Sequence, residues 1–263
     1  MTATAPDTGV PVRRYVEHVM GMPISLALRG RHTDDAAARG AWAACIAQLE
    51  DVERIFSTYR PDSWVCRLSA GRVDLDECPP VVGEVLALGE QARVESGGAF
   101  DVRRVRADGS VGLDPSGVVK GWAVQRAALV FAALDDTDVC LSAGGDMVCT
   151  VVDPGRPAWR VGVEDPHDPA RVLAVVPVRR GAVATSGHAR RGRHVVDART
   201  GRAPVGVSSV TVVGDDLTWV DIDATAAYAQ GAAAGDWLRG RSRTGVVVRD
   251  DGAVDVIGEA GRK

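Results

Sequence analysis

Four short glycine-rich elements carry the residue types that a phosphate ester asks for: Gly97-Gly98-Ala99-Phe100-Asp101, Gly117-Val118-Val119-Lys120-Gly121, Ala143-Gly144-Gly145-Asp146 and Thr185-Ser186-Gly187. Exposed backbone N–H groups and a helix N-terminus bind anions. Taken singly, each element is as readily the turn chemistry of a glycine after a strand. Taken together they point to phosphate binding, with a spacing that is neither a Walker A loop nor a dinucleotide fingerprint. Lys120 is expected in the first turn of a helix, where a surface lysine opposes the helix dipole, so an anionic partner accounts for it better than solvation does. Asp221 and Thr225 are four apart on a predicted helix, which sets their Cβ atoms roughly 5–6 Å apart on one face. That spacing suits two oxygen ligands of one hard cation, although the helix dipole alone also favours an acid near an N-terminus. His194, in His194-Val195-Val196-Asp197, follows Arg190-Arg191-Gly192-Arg193. It is a catalyst if it faces a substrate and a rim residue if it faces solvent.

The elements that must position these residues alternate between strand and helix in the first half. Ile24, Leu26 and Leu28 alternate with Ser25, Ala27 and Arg29, the period-two pattern of a half-buried strand. A helix follows, capped by Asp34 or Asp35, with Trp42, Cys45, Leu49, Val52 and Phe56 at three- and four-residue steps. It ends before the turn-rich Ser57-Thr58-Tyr59-Arg60-Pro61-Asp62-Ser63. A second helix begins at Pro79-Pro80 and breaks at Gly97-Gly98, and a third runs from about Val118 to Leu134. Val139 to Ser142, Met147 to Val152, Trp159 to Glu164, Val172 to Val178 and Val207 to Val213 read as strands. After Asp215-Asp216 an alanine-rich helix reaches Ala234 with a break at Gly231, and the chain closes on a hairpin across Asp251-Gly252. The pattern predicts a mixed α/β (α+β) unit over residues 12–263, behind a flexible stretch at residues 1–11.

Composition narrows the function. The 263 residues are 46% hydrophobic and 25% charged, enough for a full core without staples. A net charge of -4 supplies no positive field to hold DNA or RNA, so no nucleic-acid partner is expected. The longest apolar runs are far shorter than the roughly 20 residues that span a bilayer, so no membrane insertion is expected. Met1 to Pro11 has neither a basic start nor an apolar stretch, which predicts a cytoplasmic protein. The five cysteines are scattered without paired spacing and read as free buried thiols.

Taken in order, these elements resemble the ApbE family of flavin transferases. The resemblance runs from Met20-Gly21-Met22-Pro23 through the Tyr59 loop and Gly97-Asp101, and is densest over Leu113-Asp114-Pro115-Ser116-Gly117-Val118-Val119-Lys120-Gly121-Trp122. It continues through Ala143-Asp146, Thr185-Gly187, His194-Asp197, and Asp221 with Thr225. It implies a mixed α/β fold that binds FAD between two lobes with Mg²⁺ on the pyrophosphate. Tyr59 would contact the flavin. Met20, Gly98, Ala99, Phe100, Asp101, Lys120, Thr185 and Ser186 would complete the FAD site. Asp221 and Thr225 would hold the metal with the Gly117 carbonyl, and His194 would act as the catalytic histidine beside Asp221. The implied reaction moves the FMN part of FAD onto a Ser or Thr hydroxyl of a client flavoprotein and releases AMP. The same residues would also support a Mg²⁺-dependent FAD pyrophosphatase giving FMN and AMP, or a non-catalytic FAD-binding protein. Many family members are exported lipoproteins; with no lipid-attachment cysteine near Met1, the chain looks like a cytoplasmic branch, which is the expectation the resemblance carries. Gln125 stands where the family commonly has Asp, Ala198 where it has Pro and Asp223 where it has Leu. Asp223 is expected on another helix face and not as a co-ligand. His188 is unusual in its place.

Overall fold

A computed structural model describes residues 3–4, 11–105, 109–188 and 195–258. After β1 (Ala3–Thr4), strands β2 (Val12–Val19) and β3 (Met22–Gly30) form a hairpin across Met20-Gly21, both at positive φ. Helix α1 (Ala36–Phe56) is capped by Asp35, whose side chain accepts the Ala38 N–H at 2.9 Å. Next come α2 (Trp64–Ser69), α3 (Pro80–Glu95) and a short hairpin of β4 (Arg103–Val105) and β5 (Val111–Leu113). Helix α4 covers Ser116–Ala127 and tightens into a 3-10 helix over Ala128–Ala133, where a continuous helix to Leu134 is expected from sequence.

Strands β6 (Thr137–Ala143), β7 (Asp146–Thr150), β8 (Trp159–Glu164), β9 (Val172–Val178), β10 (Arg180–Gly187) and β11 (Ser209–Gly214) follow. Helix α5 (Leu217–Ala229) stops just before Gly231, as predicted, and α6 (Ala234–Gly240) leads into the terminal hairpin of β12 (Thr244–Val248) and β13 (Val254–Ile257). Two of the glycine-rich elements belong to the large sheet. Gly144-Gly145 is the two-residue turn between β6 and β7, with positive φ at both residues, and Thr185-Ser186-Gly187 ends strand β10.

An eight-stranded antiparallel sheet, ordered β13-β12-β11-β10-β7-β6-β3-β2, forms the frame. Its two faces follow from side-chain alternation. Ile24, Leu26, Leu28, Leu141, Ala182, Ala184, Val210 and Val212 face the helices. Ala27, Cys140, Met147, Cys149 and Val183 face a second sheet, β1-β8-β9, through Trp159, Val161 and Val178. Helix α5 lies on β10 and β11 with α4 packed over it, so its residues are buried nearly all round. All five cysteines are free, and four of them are buried. Among the described residues no helix is long and apolar enough to cross a membrane.

Candidate functional site

Helix α5 carries Asp221 and Thr225 on the face that meets α4 and the end of β10. Asp221 is 1% exposed. Its Oδ2 accepts the N–H of Gly121 at 2.9 Å, and its Oδ1 lies 3.1 Å from Lys120 Nζ. The same ammonium is ion-paired with Asp146, at the start of β7. Helix α4 can lie this close because residue 121 is glycine: a Cβ there would stand 2.6 Å from the Leu217 carbonyl oxygen and 2.7 Å from Asp221 Cβ. The Gly121 amide, which in a regular helix pairs with the Gly117 carbonyl, is the one that donates to Asp221.

Lys120 is therefore not the exposed first-turn lysine that the sequence suggests. Because α4 begins at Ser116, Lys120 falls in the second turn and points inward between two carboxylates. Burial lowers its pKa, but Asp146 and Asp221 more than offset this and hold it protonated. Burial and the charge of Asp146 push the Asp221 carboxyl up to about 7, against the pull of Lys120. One ammonium set among two carboxylates leaves a deficit of positive charge. Asp146 is the residue that sequence reasoning left out of the site, although it follows the Gly144-Gly145 turn that places it.

The remaining predicted residues divide by how the backbone presents them. Ser186 Oγ lies 2.8 Å from Thr225 Oγ1, so both hydroxyls join the same face. Thr185 points to the other side of β10, where its hydroxyl pairs with Thr211 Oγ1 at 2.7 Å. Its amide turns inward and donates to Asp146 Oδ1 at 3.0 Å. Gly97 and Gly98, both at positive φ, turn the chain out of α3. Ala99 and Phe100 are buried, and a Cβ on Gly117 would meet the Phe100 ring at 2.8 Å and Thr225 Cγ2 at 3.7 Å. The Phe100 ring is thus a floor beneath the start of α4. Asp101 Oδ1 accepts the Arg103 N–H at 2.8 Å and also pairs with the Arg103 guanidinium.

Met20 donates its N–H to Glu53 Oε2 at 3.2 Å, tying the β2–β3 turn to the last turn of α1. The loop after α1 holds Tyr59, which is 95% exposed and lies on a cleft of about 440 Å³ shared with Arg72, Arg104 and Asp114. His194 lies outside the described residues. The segment after it is anchored on the site, since Ala198 donates its N–H to the Ala99 carbonyl at 3.0 Å.

The departures Gln125 and Asp223, with the unusual His188, find partners. Gln125 Oε1 accepts the Leu217 N–H at 2.7 Å, serving the first residue of α5. Asp223 faces away from Asp221, onto Arg241 and Arg243. His188 Nδ1 lies 3.4 Å from the Tyr228 hydroxyl.

The available donors around Asp221 are hard oxygens: its carboxylate, the Thr225 and Ser186 hydroxyls and the Asp146 carboxylate. Among the described residues no three His, Cys, Asp or Glu side chains cluster as a metal cage. Few protein oxygens and a deficit of positive charge fit Mg²⁺, which keeps several of its own waters.

The sequence model of the ApbE family matches residues 20–107 and 102–248. A protein of Rhodobacter capsulatus named FAD:protein FMN transferase is 35% identical over 158 residues, which is 55% of this chain and 29% of that protein. The matched stretch is thus under a third of that relative's length. Among solved structures, the ApbE protein of Thermotoga maritima superposes with a TM-score of 0.80 at 19% identity, covering 94% of this chain and 97% of that one. The flavinyl transferase ApbE of Pseudomonas stutzeri superposes with a TM-score of 0.78 at 20% identity, covering 99% and 98%. The flavin transferase ApbE of Vibrio cholerae gives 0.77 at 19% identity, covering 94% and 98%. The fold is shared across all three.

Proposed function

Because this chain belongs to the ApbE family, we propose that it transfers the FMN moiety of FAD to a Ser or Thr hydroxyl of a client flavoprotein and releases AMP. The observation that carries this reading is the buried Lys120 held between Asp146 and Asp221 beside the Thr225 and Ser186 hydroxyls. A buried charge cluster with an unmet positive demand is costly unless a ligand completes it, and such clusters concentrate at functional sites.

In this reading the exposed Tyr59 ring and Met20 meet the isoalloxazine, and the turn at Gly98–Asp101 with the Thr185 and Ser186 end of β10 holds the nucleotide. Asp221, Thr225 and the Gly117 carbonyl would hold Mg²⁺. When bound, that ion supplies neutralisation of the pyrophosphate charge. Lys120 keeps Asp146 and Asp221 fixed and adds positive potential next to the phosphates. His194 accepts the proton of the acceptor hydroxyl as its oxygen bonds to the FMN-side phosphorus. The bond from that phosphorus to the bridging oxygen breaks, and AMP departs with the oxygen. The work of the chain is positioning and charge stabilisation, as is general for phosphoryl transfer.

The test is incubation with FAD and Mg²⁺, with and without a candidate flavoprotein encoded beside this chain, followed by AMP measurement and flavin fluorescence on a denaturing gel. Transfer gives AMP together with a fluorescent client band. AMP without labelling identifies a pyrophosphatase, and bound, intact FAD identifies a binder; either result rejects transfer.

A further inference from the structure

Asp223 occupies a side of α5 that the reaction above does not use, and its surroundings are a closed charge network. Its carboxylate is buried, with Oδ1 3.0 Å from Arg241 Nη2 and Oδ2 2.5 Å from Arg243 Nε. The same Arg241 Nη2 lies 2.7 Å from Glu95 Oε2. One guanidinium thus bridges a carboxylate on α5 and a carboxylate on the last residue of α3, while its Cζ rests 4.8 Å from the centroid of the Trp237 ring. A planar fork with several donors can hold two carboxylates at once, which a lysine cannot do with comparable geometry.

The position of Glu95 gives this bridge its meaning. The next residue, Ser96, accepts a hydrogen bond on its carbonyl from Gln230 Nε2 at 2.7 Å, and its hydroxyl accepts the Phe100 N–H at 3.0 Å. The turn Gly97–Asp101 therefore hangs from an α3 terminus that is pinned to α5 at two points, Arg241 and Gln230. At the other end of the turn, Phe100 meets Gly117 beside Thr225. We infer that Arg241 is a positioning residue, which sets the distance between the Gly97–Asp101 turn and the Asp221–Thr225 face of α5 and so the fit of FAD. The inference rests on the FAD site proposed above. It assigns the unusual Asp223 a partner in building that site without contact with the nucleotide.

The test is a titration of purified protein with FAD and Mg²⁺, read by quenching of flavin fluorescence well below the melting temperature. It yields both a dissociation constant and a binding stoichiometry. Glu95→Gln removes only the charge of the α3 arm, from a partly exposed position, and leaves Asp223 paired with both arginines. It should raise the FAD dissociation constant about tenfold or more at unchanged stoichiometry, since a displaced binding group weakens FAD binding alike in every protein molecule. Arg241→Met should do the same where it folds, and Arg241→Lys should recover only part of the loss. A merely structural role predicts the opposite split: fewer binding-competent molecules with the wild-type constant. That result, or a constant within about twofold of wild type for Glu95→Gln, overturns the inference. If the wild-type chain itself fails to bind FAD, the proposed function falls and the inference falls with it.

Discussion

Lys120 decides the electrostatics of the site at the scale of single residues. Its ammonium is ion-paired with both Asp146 and Asp221, so the consequences of substitution differ sharply between neighbours on α5. Asp221→Asn is nearly isosteric and should leave a folded protein, yet abolish FAD-dependent AMP release at ordinary Mg²⁺, with partial recovery in raised Mg²⁺ or in Mn²⁺. Asp223→Asn should show the reverse. It takes the carboxylate from Arg243 and leaves Arg241 with Glu95 alone; both arginines keep some contact with water, so the loss falls below the cost of breaking a fully buried pair, and its main effect is on the melting temperature. Activity assays and thermal melts on the two variants check this; an inactive but fully stable Asp223→Asn would overturn the assignment of faces on α5. Tyr59 is a different case, because its 95% exposure means that it contributes little to the core. Tyr59→Ala should shift stability by no more than about 0.5 kcal/mol, while FAD binding weakens by about 1–3 kcal/mol if the ring stacks on the flavin. Unchanged FAD affinity by fluorescence titration would return Tyr59 to an ordinary loop residue.

Two elements owe their placement to contacts that can be removed one at a time. The close approach of α4 to α5 depends on Gly121, where a Cβ would collide with the Leu217 carbonyl and with Asp221 Cβ. Neither is the free end of a flexible side chain, so the helices must separate. Gly121→Ala should cost about 1–3 kcal/mol as overpacking does, and should also displace Asp221; a melting temperature equal to wild type would disprove the tight fit. The start of α1 is held differently. His32 Nδ1 lies 2.6 Å from Asp35, the cap of α1, and Nε2 lies 2.7 Å from Asp135, just before β6. Hydrogen bonding to Asp35 and then to Asp135 raises the His32 pKa. A raised value means that this contribution to stability is complete below the unfolded-state pKa of about 6.5 and is lost as pH rises through the folded value. His32→Gln should therefore lower the melting temperature more at about pH 5.5 than at about pH 9. Equal losses at both would show that the histidine acts without its charge.

Across the whole molecule, local signals predicted most of the frame and little of its long-range assembly. The Asp35 cap and the Asp251-Gly252 turn each act within a few residues and appear as read; the alternation around Ile24, Leu26 and Leu28 does mark a strand, but not a half-buried one, because Ala27 and Arg29 on its other face are buried against the second sheet. Strand β2 escapes such a reading because Arg13, Arg14, Glu17 and His18 leave it without a clean alternation, as suits a charged edge strand. The pairing of Lys120 with Asp146 depends on how α4 packs across the β6–β7 hairpin, and no periodicity encodes that. Thr185 and Ser186 look equivalent in sequence, yet β10 sends their side chains to opposite faces. The proposed ligand would touch this distributed set at once: the loop after α1, the turn after α3, the end of β10 and the face of α5. A ligand that binds only when all four are in place binds the native state and not the unfolded chain. It must then stabilise the entire fold by mass action, by about 2.7 kcal/mol at a hundredfold excess over its dissociation constant. For a chain of this size that corresponds to a rise of about 5–10 °C in melting temperature. FAD with Mg²⁺ should produce this shift in wild type, FAD with a chelator should produce much less, and Asp221→Asn should erase the Mg²⁺-dependent part. A shift of the same size with and without Mg²⁺, in both proteins, would mean that FAD binds without a metal at Asp221.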